Sequence, residues 1–99
     1  MAKRKLIWSE NAKIKLFEIL DYFNGRNNSK TYSKKLYSKF VKEVDFLTKH
    51  PEIGIKTDLD NVRGLIIDDY IFFYEINKST IVIYTIWDTR QNPDNLQIK

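Results

Sequence analysis

Apolar positions recur along this chain with two different periods. Between Asn11 and Gly25, the residues Ala12, Leu16, Ile19, Leu20 and Phe23 lie within roughly 100° of one another at helical spacing, the width of a core-facing stripe. Ser9 precedes them as a helix cap, and Gly25 supplies the residue type that accepts the left-handed backbone closing a helix, so the first helix is predicted to end at Asn24 or Gly25. The stretch before it, Lys3 to Trp8, ends in Leu-Ile-Trp and reads as a strand. A second helical pattern runs from Lys30 to Lys49, capped by Ser29, with Tyr32, Leu36, Phe40, Val44 and Leu47 on one broad face. His50-Pro51 closes it, because the residue before a proline is biased away from the helical region. The connection Gly25 to Asn28 is short enough to make the pair a helical hairpin.

Beyond Pro51 the rhythm changes. The segment PEIGIKTDLDN reads as a loop, and three apolar runs follow it: Val62 to Ile67, Tyr70 to Ile76 and Thr80 to Trp87. Asp68-Asp69 and Asn77-Lys78-Ser79 separate them as turns, which predicts an antiparallel meander. The expected architecture is α+β: an amino-terminal strand, a helical hairpin, then a three-stranded meander, with the helices packed on one face of the sheet. A chain of 99 residues has room for one such domain spanning 1–99.

Alternation divides the central run into Tyr70, Phe72, Tyr74 and Ile76 on one face and Ile71, Phe73 and Glu75 on the other. Both faces are apolar, yet two helices cover only one. The other face keeps exposed apolar groups, including either Ile81, Ile83 and Trp87 or Val82, Tyr84 and Ile86 from the last run. Such a patch marks a partner surface, a dimer contact, or a curved sheet closing over a long loop. Glu75 suggests that its own face is the uncovered one.

Composition narrows the chemistry. Hydrophobic residues make up 42% and charged residues 30%, an ordinary globular mixture. No apolar run approaches the length of about 20 that a membrane span needs, and MAKRKLIWSE lacks the apolar core of a secretion signal, so the expected location is the cytoplasm, with no membrane partner. The absence of cysteine excludes disulfide and thiol chemistry, and one histidine leaves little to hold a metal; no cofactor is expected. A net charge of +4 permits a polyanionic partner without requiring one. Lys35, Lys39, Lys42 and Lys49 collect on the outside of the second helix, a pattern more often a solvated surface than a site.

The residues able to do chemistry are few. Arg63 opens the first strand of the meander, Arg90 follows the last, and Lys56 sits in the preceding loop. An arginine on a rigid sheet edge offers a fixed fork to a phosphate or carboxylate, or it pairs with Asp60, Asp68 or Asp88. Tyr84 and Tyr74 are stacking groups or core, and His50 is a helix-end residue or an acid-base group. Paired carboxylates, a nucleophile elbow and a glycine-rich phosphate loop are all missing from the sequence.

Three stretches carry a resemblance: LTKHPEIG at Leu47 to Gly54, VRGLIIDDYIFFYEI at Val62 to Ile76, and IVIYTIWDTRQNP at Ile81 to Pro93. In order and spacing they resemble the RelE/ParE superfamily of type II toxins, in which a Pro-x-x-Gly ends the second helix and arginines open one strand and follow another. The resemblance implies a toxin silenced by a cognate antitoxin in a heterodimer or heterotetramer. Ile71, Phe73 and Trp87 would contact the antitoxin, and Arg90, Arg63, Lys56, His50 and Tyr84 the target. RelE-like members cleave messenger RNA on the ribosome, whereas ParE-like members act on DNA gyrase. A nuclease of the family carries a basic residue where Ile71 stands and an aromatic or histidine where Leu96 and Gln97 stand. Ribonuclease chemistry also needs a group to activate the 2'-hydroxyl and one to protonate the leaving oxygen. If the chain is a metal-independent endoribonuclease, Arg90 and Arg63 are its catalytic candidates; the departures favour the ParE-like branch, or a binding module that is no longer toxic.

Overall fold

A computed structural model describes residues 4–27, 30–92, 94 and 96. The elements are β1 (Lys5–Trp8), α1 (Glu10–Asn27), α2 (Thr31–Phe46), a 3-10 turn (Pro51–Ile53), β2 (Ile55–Lys56), β3 (Val62–Ile67), β4 (Tyr70–Ile76) and β5 (Thr80–Asp88). They form one five-stranded sheet in the order β1-β5-β4-β3-β2, with β1 parallel to β5 and every other pair antiparallel. The α+β arrangement read from the sequence is therefore the observed one, with both helices on a single face.

Ser9 caps α1 as its sequence position suggests. Its hydroxyl accepts the Ala12 amide at 3.0 Å and donates to the Tyr84 carbonyl at 2.7 Å, tying the helix start to β5. At the other end the helix runs past Asn24 and Gly25 to Asn27. Gly25 takes no left-handed conformation and has open space around it, so glycine does not terminate this helix. The second helix is shorter than its pattern: it stops at Phe46, and residues 47–49 form turns. Lys30 occupies its cap position with no side-chain cap bond, while the expected cap Ser29 lies outside the described residues, as do Lys3, Pro93 and Gln97.

The core lies between the hairpin and the helix-facing side of the sheet. Leu36, Phe40, Val44 and Leu47 of the second helical segment meet Tyr70, Phe72 and Tyr74, whereas Tyr32 remains 45% exposed and packs edge-on to Phe23. Phe40 contacts both Tyr70 and Phe72 through edge-to-face ring pairs with centroids 5.7 and 4.9 Å apart.

The last strand departs from simple alternation. A bulge between Phe73 and Tyr74 places Tyr84 as an extra residue, so Phe73 pairs with Thr85 while Tyr74 pairs with Ile83. The bulge rephases the strand: Ile81, Ile83 and Ile86 all enter the core, and Val82, Tyr84 and Trp87 are half-buried. Neither alternating set expected for this strand is correct, because strict period two does not survive an inserted residue.

The loop expected between Pro51 and Asn61 is more ordered than its composition suggests. It contains the 3-10 turn and β2, whose Ile55 and Lys56 pair with Gly64 and Arg63. Asn61 and Asp68, at φ of 62° and 54°, supply the left-handed positions that begin and end β3.

Candidate functional site

Two polar clusters occupy opposite ends of β4. At its carboxyl end, the Tyr74 hydroxyl donates to the Pro51 carbonyl at 2.6 Å and accepts the Gly54 amide at 3.0 Å. Burial pushes the Tyr74 pKa up, which keeps the hydroxyl protonated and able to donate. Arg63, across the ladder from Tyr74, aims Nη1 at the carbonyls of Glu52 and Gly54, at 3.2 and 2.9 Å. The Pro-x-x-Gly segment is thus clamped by one tyrosine and one arginine. His50 stands beside it with its ring stacked on Phe46 at 4.4 Å, and Lys56 is exposed on the edge strand.

At the amino end of β4, Tyr70 pairs with Asp88, and Arg90 follows two residues later. Asp88 accepts Arg90 in a bidentate fork, Nε to Oδ1 at 2.9 Å and Nη2 to Oδ2 at 2.8 Å, and Oδ1 also accepts the Arg90 amide at 2.9 Å. The guanidinium holds the Asp88 carboxyl below its ordinary 3.8, against an opposing effect of burial, while burial raises the Tyr70 pKa. The tip of the β3–β4 hairpin closes this end: Lys39 Nζ reaches Asp68 at 2.7 Å, and the amide and hydroxyl of Thr89 both donate to the Asp69 carbonyl at 2.9 Å.

The Asp88 shift has a testable consequence. A carboxylate with a lowered folded pKa stabilises the fold above its unfolded pKa, and that contribution disappears as pH falls through the folded value. By NMR, Asp88 should titrate below 3.8 in the wild type and return towards it in Arg90→Ala. An unchanged midpoint would mean that the fork does not persist in solution.

These positions separate the candidates drawn from the sequence. Tyr70 and Tyr74 are four residue steps apart along the strand, about 13 Å at 3.3 Å per residue, so Arg90 stands apart from Arg63, Lys56 and His50. Tyr84 belongs to neither cluster: it is half-buried on the uncovered face and bonds Glu75 Oε2 at 3.0 Å. Ile71 and Trp87 are half-buried neighbours across the β4–β5 ladder. Phe73 is only 6% exposed, its ring lying over Gly64, where a Cβ would stand 3.3 Å from Phe73 Cε1 and 2.8 Å from Ile71 Cγ2. It offers a partner little surface. Leu96 is half-buried.

An apolar concavity lies elsewhere, between the two helices. It is an open groove of about 950 Å³ lined by Leu16, Phe17, Leu20, Tyr37 and Val41, with Lys13, Glu18, Asp21 and Lys34 among its polar residues. Phe17 is 68% exposed and Tyr37 47%. The sequence contained part of a signal for it: Phe17, an apolar residue of α1, falls off the core stripe. Attention to the sheet alone misses it.

A hairpin on one face of a five-stranded sheet, with an arginine just beyond the last strand, is the arrangement that the sequence resemblance to the RelE/ParE toxins implies. The chain belongs to the ParE toxin family: the family model described as ParE toxin of type II toxin-antitoxin system, parDE, matches residues 6–93. It is the toxin component of a type II toxin-antitoxin module. Its fold is similar to a solved chain of the chromosomal ParDE TA system from P. aeruginosa, with a TM-score of 0.74 over 85% of this chain and 94% of that one, at 19% identity. No curated protein gives a significant match.

Proposed function

We propose that this toxin acts by binding DNA gyrase and blocking its cycle, and that a cognate antitoxin neutralises it by laying an amphipathic segment in the groove between α1 and α2. The observation that supports a binding mechanism over ribosome-dependent cleavage of messenger RNA is the distance between the two polar clusters. Arg90 is oriented by Asp88 at one end of β4, while Arg63 serves backbone carbonyls at the other. A nuclease must converge an acid, a base and a charge-stabilising group within hydrogen-bond reach of one phosphodiester. An exposed pre-oriented guanidinium suits recognition of a partner's carboxylate or phosphate without such convergence.

The purified chain should inhibit supercoiling by gyrase in a concentration-dependent way and leave ribosome-bound messenger RNA intact. Codon-specific cleavage with unaffected supercoiling would overturn the reading. Neutralisation is tested separately. Phe17→Glu, on the wall of the groove, should leave the melting temperature unchanged and weaken antitoxin binding about tenfold or more. Full affinity in that variant would move the antitoxin contact to the open sheet face with Ile71 and Trp87.

A further inference from the structure

We infer that the outer face of α2 is a docking surface for the phosphate backbone of duplex DNA. The charge of the chain is concentrated there. Lys30 to Lys49 contains six lysines against Glu43 and Asp45, a surplus equal to the net charge of +4 for all 99 residues, so the rest of the chain is balanced. Within that segment Lys34, Lys35 and Lys42 fall within about 100° of one another at 3.6 residues per turn, on the side of the helix directly opposite Leu36, Phe40 and Val44; Asp45 shares this arc, where the lysines outnumber it three to one. Lys49 continues the row just beyond the helix end. All four are exposed, and none has an ion pair to a described residue; Lys39, which does, is turned towards Asp68.

The geometry selects the kind of polyanion. From Lys34 to Lys42 the row is roughly 12 Å long at 1.5 Å per residue on the helix, and Lys49 extends it through the turns that follow Phe46. A duplex presents one negative charge per ~1.7 Å of axis along a regular surface, which a straight row of flexible ammonium groups can follow. A single strand is held by aromatic platforms interleaved with the cations. Here Tyr37 borders the groove on one flank, and the Phe46 ring, at the edge of the row, is stacked on His50, so both rings are engaged by the protein itself. A membrane surface would require the apolar face of the helix to enter lipid, and that face is buried in the core. The contact would be independent of sequence, since it engages phosphates and not base edges.

The test is fluorescence anisotropy of a labelled 20-base-pair duplex titrated with the full chain at several potassium chloride concentrations. Lys35→Gln/Lys42→Gln/Lys49→Gln should bind about tenfold or more weakly at low salt, with a slope of log K against log salt shallower by about 2.7. The triple Lys→Arg variant, which keeps the charge, should bind like the wild type and control for folding. Arg90→Ala should also bind like the wild type, so failure of the gyrase reading leaves this result standing. Absence of wild-type binding at 50 mM salt, equal affinity of the glutamine variant, or stronger binding to single-stranded RNA or anionic vesicles than to the duplex would each overturn the inference.

Discussion

Gly54→Ala should destabilise the protein by roughly 2–4 kcal/mol, the sum of an overpacking cost and a weakened buried hydrogen bond. For a domain of this size that corresponds to a fall of about 10–25 °C in melting temperature. The cause is local and specific. A Cβ on Gly54 would stand 2.8 Å from Tyr74 Cε1 and closer still to the hydroxyl, which is held in place by the Pro51 carbonyl. Tyr74 is fully buried, so its ring has no room to yield. Moving the loop instead would pull the Glu52 and Gly54 carbonyls away from Arg63. Thermal unfolding followed by circular dichroism measures the loss, and a double-mutant cycle identifies its origin. Tyr74→Phe removes the nearest atom of the clash, so Gly54→Ala should cost less in that background than in the wild type. Strict additivity of the two substitutions would show that the contact is not the source of the destabilisation.

The same residues show how much of the molecule its sequence reveals. Element type and order follow from periodicity, because the stripes in α1 and α2 and the apolar runs of β3, β4 and β5 each belong to an element with one buried face. Boundaries and faces are less accessible where a local rule yields to packing. Gly25 remains helical, since nothing nearby requires the left-handed backbone that would end the helix there. The Tyr84 bulge exchanges the two faces of β5 partway along, and no residue type in TIVIYTIWD announces it. The edge strand β2 is two residues long, below the length at which alternation can be recognised.

The candidate site divides in the same way. The Asp88–Arg90 pair is readable because its members are two residues apart on one strand end, where a carboxylate can reach a guanidinium without help from the fold. The duty of Arg63 is not readable. It depends on β2 and β3 bringing the carbonyls of residues 52 and 54 beside the guanidinium, an arrangement that exists only once the sheet has formed. An arginine at the start of a strand therefore looks like half of a binding site and serves here to hold a loop. The groove between the helices escaped for a related reason: Phe17 and Val41 are distant in sequence and become neighbours only when the hairpin closes.

Arg90→Ala should abolish growth inhibition while leaving the fold intact. Its side chain is 55% exposed and its described carboxylate partner, Asp88, lies on the same strand end, so its removal opens no cavity and strands no deeply buried charge. Truncating an anchoring arginine at an interface commonly costs a factor of about 30 or more in affinity, and inhibition of gyrase supercoiling by the purified variant should weaken accordingly. Asp88→Asn separates position from charge. It retains the arginine but loses the ionic fork, so the guanidinium samples more orientations and inhibition should fall to a level between those of the wild type and Arg90→Ala. Arg90→Lys should resemble the alanine variant more than the wild type if the target is held through a planar fork, because an ammonium group cannot present two parallel N–H bonds. The decisive pair of measurements is toxicity on induction without antitoxin and melting temperature of the purified variant. Loss of toxicity with a melting temperature lowered only slightly, by the small contribution of an exposed fork, is the expected result; loss of toxicity together with a large fall in melting temperature would make Arg90 a structural residue, and retained toxicity would remove it from the target interface.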